Sequence, residues 1–513
     1  MSSRGLWRAC ALATALFGVV GVSSRADDGP GTFAALRDDR AFQAVLQFAQ
    51  TMMAHGRDSY GEKKSPLFVA QLNVETQRIP EGTDADPGLW RGHLEVAGYQ
   101  AFCQNLLQDQ GLLDVLRTLT TVTGDAKYDA ALRDYLAYVL NDTRDPRSGY
   151  IPWGEHVGFD VVQDRVHVGE VKYWHEVKAY NIAWDQLWDV NPEATRHEIE
   201  TAFYNHICDP ETFAFNRHAT MDGKPNSGTG VTSLLSSAGV YIDAWCWLYK
   251  KTGDAKFLEW AKKMNALAAS RCEAETGLLA TDDYTRPEEM VYSEAAAYAP
   301  YLFVAADILG DEGKVFREEA IAYLNAYEKY AYVAKREDTG GPGYCDALNI
   351  KTGKPIDKGG GRYLEAWTWK DNHEHVGVIL SAYAIGYSFT GDERFRAMCD
   401  HAIEALEIQK TVAEKKYLLS CDLGGAIMSM VLIAKRSGDG RYLEQAKPLV
   451  EFALKNNFVD GCFTSGMENL NQYYCNRAGS GYLAAAVLNW ALAAHGHMDM
   501  VSPVRDFQGG LRF

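Results

Sequence analysis

One short motif recurs along the chain and limits the fold more than any other feature. "TGDAKYDAAL" begins at Thr123, "TGDAKFLEWA" at Thr252, "TGDERFRAMC" at Thr390 and "SGDGRYLEQA" at Ser437, and a looser copy, "LGDEGKVFREEA", begins at Leu309. Apolar stretches such as "SAGVYIDAWCWLYKK" precede these copies. The glycine suits the left-handed position that ends a helix, and the aspartate suits the N-cap of the next helix. The motif therefore predicts a helical hairpin, repeated along the chain.

The apolar surface of each hairpin predicts how the hairpins are arranged. A single hairpin cannot bury its own apolar face, so neighbouring hairpins must stack. The copies are unevenly spaced, which is unlike a solenoid of strict period, and 513 residues with 47% hydrophobic content suffice for a large core. We predict an all-α fold, an (α/α) toroid or barrel of repeated hairpins, in one catalytic domain over residues 27–513. An open superhelix is the alternative.

Two insertions interrupt the helical pattern. Residues 143–178 contain "VGFDVVQDRVHVG", whose short alternating runs predict a β-ribbon laid over the helices. Residues 338–375 form a Gly-rich segment that ends in several aromatic residues and histidines. Long loops within a compact domain often carry function. We therefore expect the active site near these insertions, with the ribbon beside it.

The N-terminus predicts export. Arg4 and Arg8 flank the start of the apolar run "ACALATALFGVVGV", and "SRA" ends at Ala26, as in a signal peptide over residues 1–26. The apolar run is too short to span a membrane. We expect a protein exported to the periplasm or the extracellular space.

Charge and cysteine content exclude several classes of protein. The formal net charge of −17 argues against nucleic acid and anionic membranes as partners. Nine cysteines follow the predicted signal peptide at wide spacings, and no CxxC pair occurs. This pattern does not predict a disulfide scaffold, although one or two disulfides remain open.

Three short segments bring together side chains that could hold a metal. "WGEH" contains His156, "YWHEVK" contains His175 and Glu176, and "FNRHATMDG" contains Arg217 and His218. Two imidazoles and a carboxylate can form an open metal site. His175 and Glu176 are adjacent, so their side chains point to different faces and we expect only one to be a ligand. The alternative is a set of hydrogen-bonded surface or half-buried histidines.

These segments resemble pectate lyase family 2, a family of polysaccharide lyases with an (α/α) barrel. "WGEHVGFD", "YWHEVKAYNIAWDQLWDVNPEATRHEIETAFYNHI" and "FNRHATMDGK" follow the family's order and spacing, and the resemblance covers residues 85 to 280. It implies that His156, Glu176 and His218 bind the metal and that Arg217 is the catalytic base.

The resemblance also implies which metal is bound. The sequence departs from the family's pattern at three positions near the site. It implies manganese, and a pair of imidazole ligands favours manganese, cobalt or nickel over the all-oxygen sites of calcium. Glu155 stands where the family usually has glycine, Val157 where it has arginine, and Ala219 where it has glycine. These changes affect the surroundings of the site and leave the ligand types and Arg217 in place.

The implied reaction is β-elimination on pectate or a related polyuronate. The enzyme removes the proton on C5 and expels the oxygen on C4, while a divalent metal neutralises the neighbouring carboxylate. Arginine normally has a pKa above about 12, and a nearby cation lowers that pKa. We therefore expect activity to improve at alkaline pH.

Further side chains are candidates for contacts with an acidic polysaccharide or oligosaccharide. Aromatic rings could stack on sugars, cations could bind carboxylates, and two polar segments resemble the inner rim of a toroid. The candidates are Trp153, Trp174, Lys178, Arg286, Tyr292, Arg362, Tyr473 and Arg477. For the aromatic residues the alternative is a place in the core, and for the charged residues it is a solvated surface.

Two other functions remain open. A glycoside hydrolase on the same toroid would use paired carboxylates, for instance Asp282 or Asp283 with Glu365, on unsaturated or uronic oligosaccharides. An exported glycan-binding protein would use its aromatic loops without turnover. Ultraviolet absorbance separates the enzymes, because a lyase creates a carbon–carbon double bond and such a hydrolase removes one.

Overall fold

The structure is a computed structural model, in which inner and outer helices alternate along most of the chain. The described residues are 34, 36–80, 103–154, 157–168, 175–177, 182–220, 222–225, 233–282, 286–357, 361–368, 375–468 and 470–503. The α-helices are α1 (Arg40–His55), α2 (Gln110–Thr123), α3 (Ala126–Asp142), α4 (Trp184–Val190), α5 (Pro192–His206), α6 (Leu235–Thr252), α7 (Ala255–Ala269), α8 (Tyr292–Leu309), α9 (Lys314–Ala331), α10 (Val376–Thr390), α11 (Glu393–Ala405), α12 (Ile408–Glu414), α13 (Ser420–Ser437), α14 (Arg441–Phe452) and α15 (Ser480–Ala494).

The strands are short and fall between the helices. They are β1 (Gln71–Asn73), β2 (Cys103–Gln104), β3 (Val157–Asp160), β4 (Arg165–Val168), β5 (His175–Glu176), β6 (His218–Ala219), β7 (Glu289–Val291), β8 (Tyr332–Val333), β9 (Gly343–Tyr344), β10 (Ala347–Asn349), β11 (Phe458–Val459), β12 (Cys462–Phe463) and β13 (Tyr473–Cys475). The pairings between these strands are antiparallel: β1 with β13, β2 with β3, β3 with β4, β5 with β6, β7 with β10, β8 with β9 and β11 with β12.

Seven of the described helices form a closed inner ring. Helix α6 packs on α8, α8 on α10, α10 on α13, α13 on α15, and α15 on α2. The short helix α4 fills the remaining position. Gln110 of α2 accepts a hydrogen bond from the Ala183 N–H at 3.0 Å, and Trp184 and Trp188 of α4 contact the Trp247 ring of α6. The predicted toroid is confirmed, and the open superhelix is wrong.

An outer layer surrounds this ring. Helices α3, α5, α7, α9, α11 and α14 each pack on the inner helix that precedes them. Helix α1 precedes the first inner helix in the chain, and it packs on α15 as well as on α2. The first described helix of the chain therefore covers the contact between the last inner helix and the first.

The repeated motif ends and starts helices as predicted. In the four closer copies, Gly124, Gly253, Gly391 and Gly438 adopt left-handed conformations. The aspartate that follows accepts a backbone N–H of the next helix at Asp125, Asp254, Asp392 and Asp439. The looser copy differs, since the chain continues from α8 through a 3-10 turn, Gly310–Gly313, into α9.

The short strands lie where the inner helices begin. Because the two helices of a hairpin are antiparallel, successive inner helices run in the same direction and their N-termini share one end of the ring. Strands β6, β7 and β13 come shortly before α6, α8 and α15. The predicted β-ribbon is the β3–β4 hairpin, and its strand β3 also pairs with β2, just before α2. This end of the ring is the rim on which a site can be built.

Several other predictions concern the chain as a whole. In the described part of the chain all nine cysteines are free, and seven are buried. Among the described helices, none combines the length and the apolar composition that a membrane crossing needs. The predicted signal peptide lies outside the described residues. It stays a prediction, as does the single domain over 27–513.

Candidate active site

A two-residue ladder places the predicted ligands opposite each other. Strands β5 and β6 pair so that Glu176 lies across from His218 and His175 lies across from Ala219. Directly opposed residues of antiparallel strands share a face, and successive residues of one strand point to opposite faces. Glu176 and His218 therefore point to one side of the ladder, and His175 points to the other.

Two side chains approach the Glu176 carboxylate from consecutive positions of the chain. His218 Nε2 lies 3.2 Å from Glu176 Oε2, and Arg217 Nη1 lies 2.7 Å from Glu176 Oε1. The Glu176 side chain is only 2% exposed, while the Arg217 side chain is 23% exposed. The structure thus brings together three of the four residues predicted for the metal and the base. The fourth, His156, lies outside the described residues.

His175 serves a different purpose on the other face. Its ring stacks on the Tyr150 ring at 3.8 Å, and its Nδ1 lies 2.8 Å from His206 Nε2. His206 Nδ1 lies 2.8 Å from the Asn216 carbonyl oxygen, which can only accept, so His206 Nε2 accepts and His175 Nδ1–H donates. Burial lowers the pKa of His206 to about 3, which keeps that ring neutral. His175 is a core residue, in agreement with Glu176 as the ligand.

The inner ring holds the ladder in place. The Ser237 hydroxyl, in the first turn of α6, donates to the Val177 carbonyl oxygen. Val177 N–H donates to the Arg217 carbonyl oxygen at 2.9 Å, and His218 N–H donates to Asn216 Oδ1 at 3.1 Å. These bonds fix both strands against α6, so the fold itself sets where the Glu176 and His218 side chains meet.

The "WG" of the "WGEH" segment packs directly on the ladder. Gly154 has a φ of +86°, and a Cβ added to it would lie 2.6 Å from the Glu176 carbonyl oxygen. Only glycine allows this approach without strain. The chain therefore passes against Glu176 immediately before Glu155 and His156, which both lie outside the described residues.

The two described donors fit a divalent transition metal. A carboxylate oxygen and an imidazole nitrogen that converge form the type of mixed set that binds manganese, cobalt, nickel or zinc. Within the described residues no three His, Cys, Asp or Glu side chains group into a complete metal site. A site with three protein ligands here needs a further donor, and His156 is the predicted one.

Two of the predicted aromatic contacts lie in the core. Trp153 is buried, its indole N–H donates to Glu198 Oε1 at 2.7 Å, and its ring edge meets His175. Tyr292 is also buried, and its hydroxyl is hydrogen-bonded to that of Tyr383. Neither ring presents a face to a sugar in this structure. The sequence could not separate these rings from exposed ones, because large aromatic side chains serve both purposes.

The other predicted contacts are distributed around the molecule. Tyr473, in β13, and Arg477, in the loop before α15, are buried near the rim. Arg286 and Arg362 are exposed and form surface ion pairs with Glu289 at 3.9 Å and with Glu337 at 3.3 Å. Trp174 and Lys178 lie outside the described residues.

The carboxylates considered for a hydrolase differ in their surroundings. Asp282 is buried and accepts the Ser233 N–H at 3.2 Å, whereas Glu365 is exposed. Asp283 lies outside the described residues.

Sequence reasoning missed the residues that support the site. Ser237, Asn216 and His206 each hold a backbone or a ring near Glu176 through a single hydrogen bond. Asn216 directly precedes the Arg217–His218 pair, which is a local signal that could have been used. Ser237 and His206 are distant in sequence, and no pattern connects them to the site.

The segment of the chain that contains this site is similar to known proteins. Residues 83–298, which contain β5, β6 and all four predicted residues, match a family described as periplasmic pectate lyase. This part of the chain resembles pectate lyase family 2. The chain is also 26% identical to a pectate disaccharide-lyase from Dickeya dadantii (strain 3937), over 47% of this chain and 46% of that protein. The match thus spans about half of that pectate lyase's length.

Solved structures resemble this chain in outline only. A D-mannose isomerase covers 88% of this chain and 97% of its own at 10% identity, with a TM-score of 0.47. An unsaturated glucuronyl hydrolase specific for heparin covers 89% and 98% at 10% identity, with a TM-score of 0.44. Their similarity is too distant to bear on the activity of this chain.

Proposed function

We propose that this protein is an exported polysaccharide lyase that cleaves pectate or a related polyuronate by β-elimination. The supporting observation is the convergence of Arg217 and His218 on the two carboxylate oxygens of Glu176. This arrangement lies inside the segment that matches the periplasmic pectate lyases. An acidic polysaccharide or oligosaccharide is the proposed partner.

His156, Glu176 and His218 would hold a divalent transition metal, and manganese is the metal we propose, ahead of cobalt or nickel. When bound, such a cation supplies Lewis-acid stabilisation of the negative charge that develops at the uronate carboxylate. The rest of the catalysis belongs to the chain's own residues. Glu176, which is buried, also keeps the Arg217 guanidinium beside the ligand set through their ion pair.

Arg217, in the neutral form that a nearby cation favours, would take the proton from C5 of the uronate and become a guanidinium. The C5–H electron pair then forms the C4–C5 double bond, the C4–O bond breaks, and the leaving oxygen takes a proton from solvent. The Arg217 side chain is partly exposed while its partner is buried, so the guanidinium lies between the core of the site and the open rim. That position suits a group that must reach a polymeric substrate.

The experiment follows new double bonds by ultraviolet absorbance. The mature protein is incubated with a panel of polyuronates, with manganese or with a chelator, and compared with Arg217→Lys and Arg217→Ala. We expect absorbance to rise only with metal and to fall by at least about 100-fold in both variants, the usual contribution of a general base. Arg133→Lys, which changes an exposed arginine of the outer helix α3 that pairs with Asp129 at 2.8 Å, is the matched control and keeps full activity.

Three outcomes would contradict this proposal. Undiminished product formation by Arg217→Lys and Arg217→Ala on every polyuronate that is cleaved would exclude Arg217 as the base. Cleavage of oligosaccharides with no gain, or with a loss, of ultraviolet absorbance would instead indicate a hydrolase. Oligosaccharide binding without turnover would indicate a glycan-binding protein.

A further inference from the structure

A buried amide side chain is hydrogen-bonded to the backbone on both sides of the predicted ligand His156. Asn105 directly follows β2 and is fully buried. Its Nδ2 donates to the Gly154 carbonyl oxygen at 2.7 Å and to the Val157 carbonyl oxygen at 2.8 Å. Its Oδ1 accepts the Leu107 N–H at 3.0 Å. Both donor hydrogens and the acceptor of this side chain are therefore used.

The two carbonyl groups bracket a very short piece of chain. Gly154 and Val157 are separated by Glu155 and His156 alone. Since one nitrogen atom is bonded to both carbonyl groups, Asn105 fixes how far the Gly154 and Val157 carbonyl groups lie from each other. An aliphatic side chain could not do this, because it would leave both buried carbonyl groups without their donor.

Gly154 also lies in close contact with the strand that carries Glu176. The approach of Gly154 to the Glu176 carbonyl oxygen leaves no room for a Cβ atom. Leu106 N–H, next to Asn105, donates to the Pro152 carbonyl oxygen at 3.1 Å. Asn105 and Leu106 are therefore bonded to the chain on both sides of Gly154, and Gly154 contacts β5.

We propose that Asn105 is a positioning residue for the metal site, because it holds Gly154 and Val157, the described residues on either side of the predicted ligand His156, in register with Glu176. The inference rests on the proposed function and adds to it a residue that touches neither metal nor substrate. Groups that orient metal ligands from outside typically change metal affinity by about 10–100-fold when they are removed. Asn105 would act on the metal site in this way.

The test measures metal affinity and stability separately on the full mature protein. Manganese binding is followed by calorimetry, and thermal unfolding is followed without metal, for Asn105→Ala and the milder Asn105→Ser. Asn457→Ala is the matched control, since Asn457 is also fully buried and donates to the Leu418 carbonyl oxygen at 3.0 Å in a part of the ring without proposed ligands. We expect weaker manganese binding by about 10–100-fold in the Asn105 variants and unchanged binding in Asn457→Ala.

The outcomes separate this inference from the proposed function. If the Asn105 variants and Asn457→Ala lose similar thermal stability and all bind manganese like the unchanged protein, Asn105 is structural only and the inference is wrong. If the unchanged protein does not bind manganese, the proposed metal site itself fails. Should Asn105→Ala not fold, Asn105→Ser decides on the same two measurements.

Discussion

At the scale of single residues, the site depends on how closely the backbone approaches Glu176. His218 and Arg217 both contact the Glu176 carboxylate. Gly154 covers the backbone carbonyl oxygen of the same residue. Side chain and backbone of one residue are thus fixed by different partners. Such double restraint holds a ligand geometry within narrow limits, which is what metal binding and proton transfer require.

Gly154→Ala tests this approach. The variant must adopt a φ of +86° and place a Cβ atom against the Glu176 carbonyl oxygen. The matched control is Gly124→Ala, where φ is +70° and nothing lies within 4 Å of an added Cβ. The control is expected to lose about 1–2 kcal/mol of unfolding free energy from the backbone conformation alone.

The expected result is a larger loss of unfolding free energy in Gly154→Ala than in Gly124→Ala, together with weaker manganese binding in Gly154→Ala only. Denaturant titration and calorimetry measure the two effects. Equal losses of stability with equal metal affinity would show that the contact between Gly154 and Glu176 contributes neither to stability nor to metal binding.

At the scale of secondary structure, the hairpin motif explains where helices stop and restart. The glycine ends one helix in a left-handed conformation and the aspartate caps the next. Both effects involve only neighbouring residues, and for that reason the pattern was readable in the sequence. The looser copy at Leu309 lacks the left-handed cap geometry and forms a 3-10 turn instead.

Asp125→Ala tests the value of one such cap. Asp125 Oδ1 accepts the Lys127 N–H at 3.1 Å and begins α3. We expect a loss of about 0.5–2 kcal/mol in unfolding free energy for Asp125→Ala and little change for Asp125→Asn, which keeps the acceptor. Chemical denaturation measures both. A loss of equal size in the two variants would instead assign the effect to the exposed ion pair with Lys127, which the charge-neutral asparagine also removes.

At the scale of the whole molecule, one buried carboxylate joins the two ends of the ring. Asp109, just before α2, accepts a hydrogen bond from the Tyr135 hydroxyl at 2.6 Å and from Asn476 Nδ2 at 2.9 Å. Tyr135 belongs to α3, and Asn476 belongs to the loop before α15. Burial raises the pKa of Asp109 to about 7, although these hydrogen bonds oppose the shift.

This raised pKa makes the closure of the ring sensitive to pH. In the unfolded chain an aspartate titrates near pH 4, so between about pH 4 and 7 the folded chain holds one more proton than the unfolded chain. The contribution of Asp109 to stability is therefore present at acidic pH and is lost as pH rises through this window. At its steepest the loss is about 1.4 kcal/mol per pH unit.

Asp109→Asn is expected to remove this dependence. The variant should gain stability relative to the unchanged protein as pH rises from 4.5 to about 8, because asparagine cannot ionise. Denaturant titrations of both proteins across this range give the difference in unfolding free energy, in which all other titrating groups cancel. A difference that stays constant with pH would contradict the assignment to Asp109.

The sequence by itself determined the hairpins and the fold class, and it predicted the site residues. Helix caps are local, and the order and spacing of "WGEH", "YWHEVK" and "FNRH" carried the resemblance to pectate lyase family 2. Only the tertiary structure decided which aromatic rings are buried, that α1 covers the contact between α15 and α2, and that Glu176 rather than His175 faces His218. The physical reason is that burial, ring closure and strand register arise from contacts between distant segments. Local periodicity determines which face of a helix is apolar, but not which segment will cover it.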